Sequence, residues 1–134
     1  MKILVVSKDT YLDLFEDKVE DRLKKGSISS QYYKRLKVSH EQHYQALDRL
    51  LDVFSKNKID HHLMDKAVSW PSLDDFDLVL TVGGDGTLLS ASHQIRDGKT
   101  PLIGVCSSDL SVGYICSCSY QEIDIIPNII KNKK

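Results

Sequence analysis

The stretch Leu78-Val79-Leu80-Thr81-Val82-Gly83-Gly84-Asp85-Gly86-Thr87-Leu88-Leu89 decides the fold. Its first five residues are apolar or β-branched and too few for a helix, which predicts a strand buried on both faces. Three glycines around one carboxylate then end the run, and their freedom predicts a tight turn. From Thr87 to Ile95 the residues Leu88, Leu89, Ala91, Ser92 and Ile95 recur at helical spacing, and Asp97-Gly98-Lys99-Thr100-Pro101 stops that helix with Gly and then Pro. Strand, turn and helix follow one another without a linker.

Outward from this unit the same alternation repeats. Lys2-Ile3-Leu4-Val5-Val6-Ser7 reads as a first buried strand, and Tyr11 to Lys25 as a helix with Leu12, Phe15, Val19 and Leu23 on one side. The small polar segment Gly26-Ser27-Ile28-Ser29-Ser30 is expected to be a loop. A second helix is expected to begin at Ser39 or His40, with Tyr44, Leu47, Leu51 and Phe54 as its core stripe, and to end at Asn57-Lys58. Ile59 to Asp65 alternates loosely as a second strand. Beyond the glycine turn, Leu102-Ile103-Gly104-Val105-Cys106 is another buried strand, and Tyr114-Ile115-Cys116 a short strand or extended loop. Tyr120 to Lys131 is expected to be a last helix interrupted by Pro127. This order predicts an α/β fold: a Rossmann-like, three-layer parallel sheet with helices on both faces and right-handed crossovers.

The chain has 134 residues, enough for one domain that buries roughly two-thirds of its unfolded surface. Lys plus Arg number 18 against 19 for Asp plus Glu, so no broad basic field exists to gather nucleic acid or an anionic membrane. The run Ile3 to Val6 is too short for a membrane span or a signal-peptide core. These features predict a soluble, cytoplasmic protein. Three cysteines, at 106, 116 and 118, suit a reducing compartment and are too few ligands for zinc. The adjacent His61 and His62 invite a metal, but neighbours in a strand point to opposite faces and do not converge on one ion. No metal site is expected in the chain itself.

In an open α/β sheet, ligands bind beyond the carboxyl ends of the strands, which is where the turn after Val82 lies. Glycines there let phosphate oxygens approach the backbone, and the helix that follows offers N–H groups without intrahelical acceptors. Gly83, Gly84 and Gly86 therefore read as a phosphate cradle, with Thr87 adding a hydroxyl or capping the helix. Asp85 does not belong in a pure anion cradle. It makes sense if it accepts a proton from an attacking hydroxyl or holds a Mg²⁺ that bridges phosphates, and it could instead cap its own helix.

The string Gly83-Gly84-Asp85-Gly86-Thr87-Leu88-Leu89, with Ala91 after it, resembles the signature of the NAD kinases, and Pro101-Leu102-Ile103-Gly104-Val105 looks like that family's next strand. Phosphofructokinases and diacylglycerol-type lipid kinases carry related turns, but the lipid kinases usually continue with Asn-Glu where this chain has Leu89-Ser90. Most NAD kinases place Asn after the next strand, where this chain has Cys106. The segment Ser111-Val112-Gly113-Tyr114-Ile115-Cys116 and the long excursion from Tyr11 to Ser39 look more like the mitochondrial-type branch.

The resemblance implies the NAD kinase and phosphofructokinase-like fold, and ATP-dependent phosphorylation of NAD at the adenosine ribose 2′-hydroxyl to give NADP. Mg²⁺ or another divalent cation would accompany ATP. It implies Asp85 as the catalytic residue, and Gly83, Gly84, Gly86, Thr87 and Leu88 as the cofactor-binding set. It also implies a homo-oligomer, a dimer, for the complete enzyme. The family continues into a β-rich C-terminal domain with an Asn-Glu or Asn-Asp motif for the NAD ribose, and neither dipeptide occurs here. Residues 1–134 are thus expected to be the nucleotide-binding domain alone, with little or no kinase activity in isolation. The alternatives are a stand-alone nucleotide-binding or regulatory module, or a lipid or sugar kinase domain.

Overall fold

The run from Leu78 becomes β3 (Leu78–Gly83), buried at every residue and central in a sheet of five parallel strands. The computed structural model describes residues 1–64, 70–95, 98–108 and 116–132. The other strands are β1 (Lys2–Ser7), β2 (Asp60–Leu63), β4 (Leu102–Cys106) and β5 (Cys118–Ser119), in the spatial order β2-β1-β3-β4-β5. β1 pairs with β3 from Ile3↔Leu78 to Ser7↔Val82, and β3 with β4 from Val79↔Leu102 to Gly83↔Cys106. The carboxyl ends of β1, β3 and β4 therefore lie side by side.

The described residues form four α-helices: α1 (Tyr11–Lys24), α2 (Ser30–Lys56), α3 (Asp85–Ser92) and α4 (Ile126–Asn132). Alternation along the strands sends Ile3, Val5, Leu80 and Val82 to one face, where they meet Leu47, Leu50 and Phe54 of α2 and Ile126 and Ile130 of α4. Leu4, Val6 and Val79 point the other way, onto Ala91 of α3 and onto Leu73 and Phe76. The expected three layers are present, and α1 packs on α2 outside them.

Several boundaries differ from the sequence expectation. α2 begins at Ser30, because Ser29 caps it by accepting the Tyr32 N–H at 3.1 Å. Its first turns are mostly exposed and so carry no apolar period to announce them. Its buried stripe is His43, Leu47, Leu50 and Phe54, with Tyr44 and Leu51 only partly buried beside it. In α1, Leu12 and Val19 are buried, but Phe15 leaves helical geometry at φ −137° and is 37% exposed.

α3 starts at Asp85, two residues before the expected start, and ends at Ser92. The last strand is Cys118–Ser119, and the expected one at Tyr114-Ile115 lies outside the described residues. The expected last helix is present in two parts, a 3-10 helix at Tyr120–Ile125 and α4, and Pro127 sits just past that break in the first turn of α4, where its missing N–H costs nothing. His61 and His62 pack on opposite faces, against Phe54 and Phe76 respectively.

Candidate functional site

The site is built where β1, β3 and β4 end. Past the strands the backbone stays stitched: the Lys8 N–H donates to the Val82 carbonyl at 3.0 Å, and the Ser107 N–H to the Gly83 carbonyl at 3.1 Å. Gly84 is the N-cap of α3 and Asp85 its first residue, so Asp85 does not cap its own helix. The Leu88 N–H returns to the Gly84 carbonyl at 3.3 Å.

None of the three turn glycines has a positive φ; among the described glycines that geometry falls at Gly26 and Gly98. The tight turn expected there therefore draws on no left-handed backbone, and at Gly83 and Gly86 it is the absence of a side chain that matters. A Cβ on Gly83 would stand 2.6 Å from Thr87 Oγ1 and 3.1 Å from Lys8 Cβ, so the strand end accepts only hydrogen there. A Cβ on Gly86 would meet nothing within 4 Å. Gly86 instead borders an open cleft of about 600 Å³, together with Thr87 and Ser90 of α3, Lys8 and Asp9 after β1, and Trp70.

The structure divides the sequence-derived set. Gly86 and Thr87 face the cleft, Gly84 turns the chain, and Gly83 makes room for Thr87 and Lys8. Leu88 is 8% exposed and packs against Gly104, where an added Cβ would lie 3.0 Å from Leu88 Cδ2. Leu88 thus anchors α3 on β4 rather than lining the cleft.

Asp85 has a neighbour that sequence reasoning missed. The Cys116 thiol donates to Asp85 Oδ1 at 3.5 Å. Burial, and then the bond to this carboxylate, push the Cys116 thiol up to about 11. Cys116 therefore stays protonated at neutral pH and acts as a donor to Asp85.

Lys8 was also missed, although its position directly after a strand adjoining β3 was the available signal. Burial lowers its pKa, with the Cys106 thiol acting in the opposite direction. His43 was read past because a polar letter does not count towards an apolar stripe. It is fully buried and holds both flanks of the turn: Nε2 lies 2.8 Å from Ser7 Oγ at the end of β1, and Nδ1 lies 2.7 Å from Ser107 Oγ after β4.

A second polar cluster ties α1 to α2. Thr10 caps α1 in a capping box with Asp13 and meets His40 Nδ1 at 2.6 Å, while the Tyr44 hydroxyl donates to Asp13 at 2.5 Å. Burial acts to raise the Asp13 pKa, but the donors from Tyr44 and Thr10 together outweigh it and hold the carboxyl below its usual range.

Among the described residues, no group of three or more His, Cys, Asp or Glu side chains converges as for a protein-held metal. None of the described helices is long and apolar enough to cross a membrane.

Comparison with known proteins agrees with this arrangement. The NAD kinase of Campylobacter lari is 29% identical over 79 residues, covering 58% of this chain and 28% of that protein. Mitochondrial NAD kinase 2 of Homo sapiens is 26% identical over 132 residues, covering 86% of this chain and 28% of its own length. The chain thus spans little more than a quarter of these relatives. Among solved structures, an NAD kinase from Archaeoglobus fulgidus in complex with ATP superposes with a TM-score of 0.57 at 18% identity, over 99% of this chain and 38% of that one, which establishes the shared fold. Residues 4–126, from the first strand through the glycine turn to the start of the last helix, match the family described as the ATP-NAD kinase N-terminal domain, and the chain belongs to that family.

Proposed function

We propose that this chain is the nucleotide-binding domain of an NAD kinase, in which the γ-phosphoryl group of ATP passes to the 2′-hydroxyl of the adenosine ribose of NAD. The bond from the γ-phosphorus to the bridging oxygen breaks, a bond to the ribose 2′-oxygen forms, and ADP and NADP leave. The observation that carries the reading is the turn after β3, where Gly86 and Thr87 open onto a cleft at the carboxyl ends of the strands. Phosphate oxygens can approach that backbone, and the first N–H groups of α3 point towards them.

In this reading Asp85 takes the proton from the 2′-hydroxyl, and the Cys116 thiol steadies its carboxylate. Gly83, Gly84, Gly86 and Thr87 form the phosphate-binding turn, with Leu88 holding it against the sheet. Mg²⁺ needs only one or two carboxylates when phosphates supply its other ligands, so the single carboxylate of Asp85 beside the turn fits it; the cation would neutralise charge on the β- and γ-phosphates. The three cysteines, none of them in a disulfide, favour a reducing, cytoplasmic setting. The complete enzyme is read as a homodimer, with no nucleic-acid or membrane partner. With about a quarter of the relatives' length, the chain alone is expected to form little NADP, and robust NADP formation by it would overturn that part.

The test is a calorimetric titration of Mg-ATP and of NAD into the chain. It is paired with NADP formation by a chimera joining residues 1–126 to the remainder of a relative. Asp85→Asn should lower turnover by about 10²-fold or more and weaken Mg-ATP binding far less than that, since the amide keeps the shape but cannot take the proton. Absence of saturable binding, or unchanged turnover in Asp85→Asn, would overturn the reading. Binding in the chimera with no turnover at all would favour a regulatory module.

A further inference from the structure

The glycine turn brings hydrogen-bond donors to a phosphate but little full positive charge, and carboxylates stand nearby, Asp85 in the turn itself and Asp9 on the border of the cleft. A triphosphate placed there meets like charge unless a cation stands close by. Lys8 is the cation among the described residues that borders the cleft together with Gly86 and Thr87. We propose that Lys8 is a phosphate-binding residue of this site, its ammonium contacting the polyphosphate of a nucleoside triphosphate bound at the Gly83–Thr87 turn. The inference rests on the functional reading above and extends it to a residue outside the turn.

Three observations place Lys8 for this. Its backbone is pinned to β3 by the 3.0 Å bond from its N–H to the Val82 carbonyl, so the side chain leaves from a fixed point beside the turn. Its Cβ lies 3.1 Å from where a Gly83 Cβ would be, and the missing side chain at Gly83 lets the lysine stem run close against the strand end. It borders the same cleft as Gly86, Thr87 and Ser90, so Lys8 and the first turns of α3 share one opening. Half-burial of the ammonium costs solvation in the free protein, and an arriving anion returns it as favourable interaction. A lysine serving only as a packing stem needs its methylenes and not its charge. That difference is what an experiment can read.

Binding of ATP, inorganic tripolyphosphate and adenosine would be measured by calorimetry for the wild-type chain, Lys8→Met and Lys8→Arg, at two salt concentrations. Lys8→Met keeps the stem and removes the charge; it should weaken ATP and tripolyphosphate about tenfold or more, leave adenosine unchanged, and flatten the salt dependence. Lys8→Arg should stay within about threefold of wild type.

A second measurement needs no variant. ATP and tripolyphosphate should slow acylation of Lys8 in the wild-type chain, read by mass spectrometry against the exposed Lys24 and Lys56, while adenosine should not. A folded Lys8→Met chain that binds ATP like wild type, or acylation of Lys8 unaffected by saturating ATP, overturns the inference and leaves the functional reading standing. Failure of wild type to bind either ATP or tripolyphosphate overturns both.

Discussion

A methyl group added at Gly83 and one added at Gly86 meet opposite surroundings, although the two residues sit in one turn. At Gly83 the new carbon would overlap Thr87 Oγ1 at 2.6 Å and press on Lys8. At Gly86 it would project into open space at the cleft, in the first turn of a helix where alanine is favoured over glycine. Gly86→Ala is therefore expected to raise stability by about 0.5–1 kcal/mol while weakening ATP binding. Gly83→Ala should lower stability by about 1–3 kcal/mol. Thermal unfolding and ATP titration of the two variants check this, and a Gly86→Ala chain that binds ATP normally would remove Gly86 from the contact surface. The letters showed that glycine was needed in the turn. They did not show why, since a glycine kept for a close approach and one kept for a ligand are spelled alike. Leu88 shows the same limit: it follows the motif in sequence, yet helical geometry turns it onto Gly104.

At the scale of elements, the long helix α2 reaches the site through His43 alone among its fully buried side chains. The imidazole bridges Ser7 and Ser107, and so ties the ends of β1 and β4 on either side of the glycine turn. His43→Leu would leave both hydroxyls buried without this partner and should cost about 2–4 kcal/mol. The triple change Ser7→Ala, His43→Leu, Ser107→Ala should recover much of that loss, because removing all partners leaves nothing unsatisfied. Chemical denaturation of the two chains decides it, and equal destabilisation in both would show that packing rather than the hydrogen bonds matters. β1, β3, β4 and the core of α2 were legible because buried strands and amphipathic helices carry strong periods. The start of α2 was not, since solvated helical turns leave no pattern. Nor was the two-residue β5, which is held by pairing with Val105 and Cys106 and not by any propensity of its own.

For the molecule as a whole, the core on the α2 face is closed by the last segment of chain. Ile123, Ile126 and Ile130 are 1%, 1% and 4% exposed and pack under α2. Burying each contributes about 1.5–3 kcal/mol, against a total margin of about 5–15 kcal/mol for a domain. A chain ending at Ser119 should therefore lose cooperative unfolding near ambient temperature, and a sharp thermal transition in that truncation would contradict this. The class of fold followed from the alternation of strands and helices, while the spatial order β2-β1-β3-β4-β5 did not, because a crossover rule gives handedness and not which strands are neighbours.

The parallel pairing of β1 with β3 also has a consequence during synthesis. Ile3 meets Leu78, so a strand buried from Ile3 to Ser7 leaves the ribosome first and must wait for its inner neighbour to be translated. At roughly 5–20 residues per second that wait lasts on the order of several seconds. β2 offers β1 a partner earlier, from Asp60, but it is a short and largely exposed edge strand. The order of synthesis thus leaves Ile3 to Val6 without their inner neighbour until the strand that ends in the glycine turn has emerged, so the centre of the sheet and that turn come into being in the same step, ahead of the last segment that closes the core.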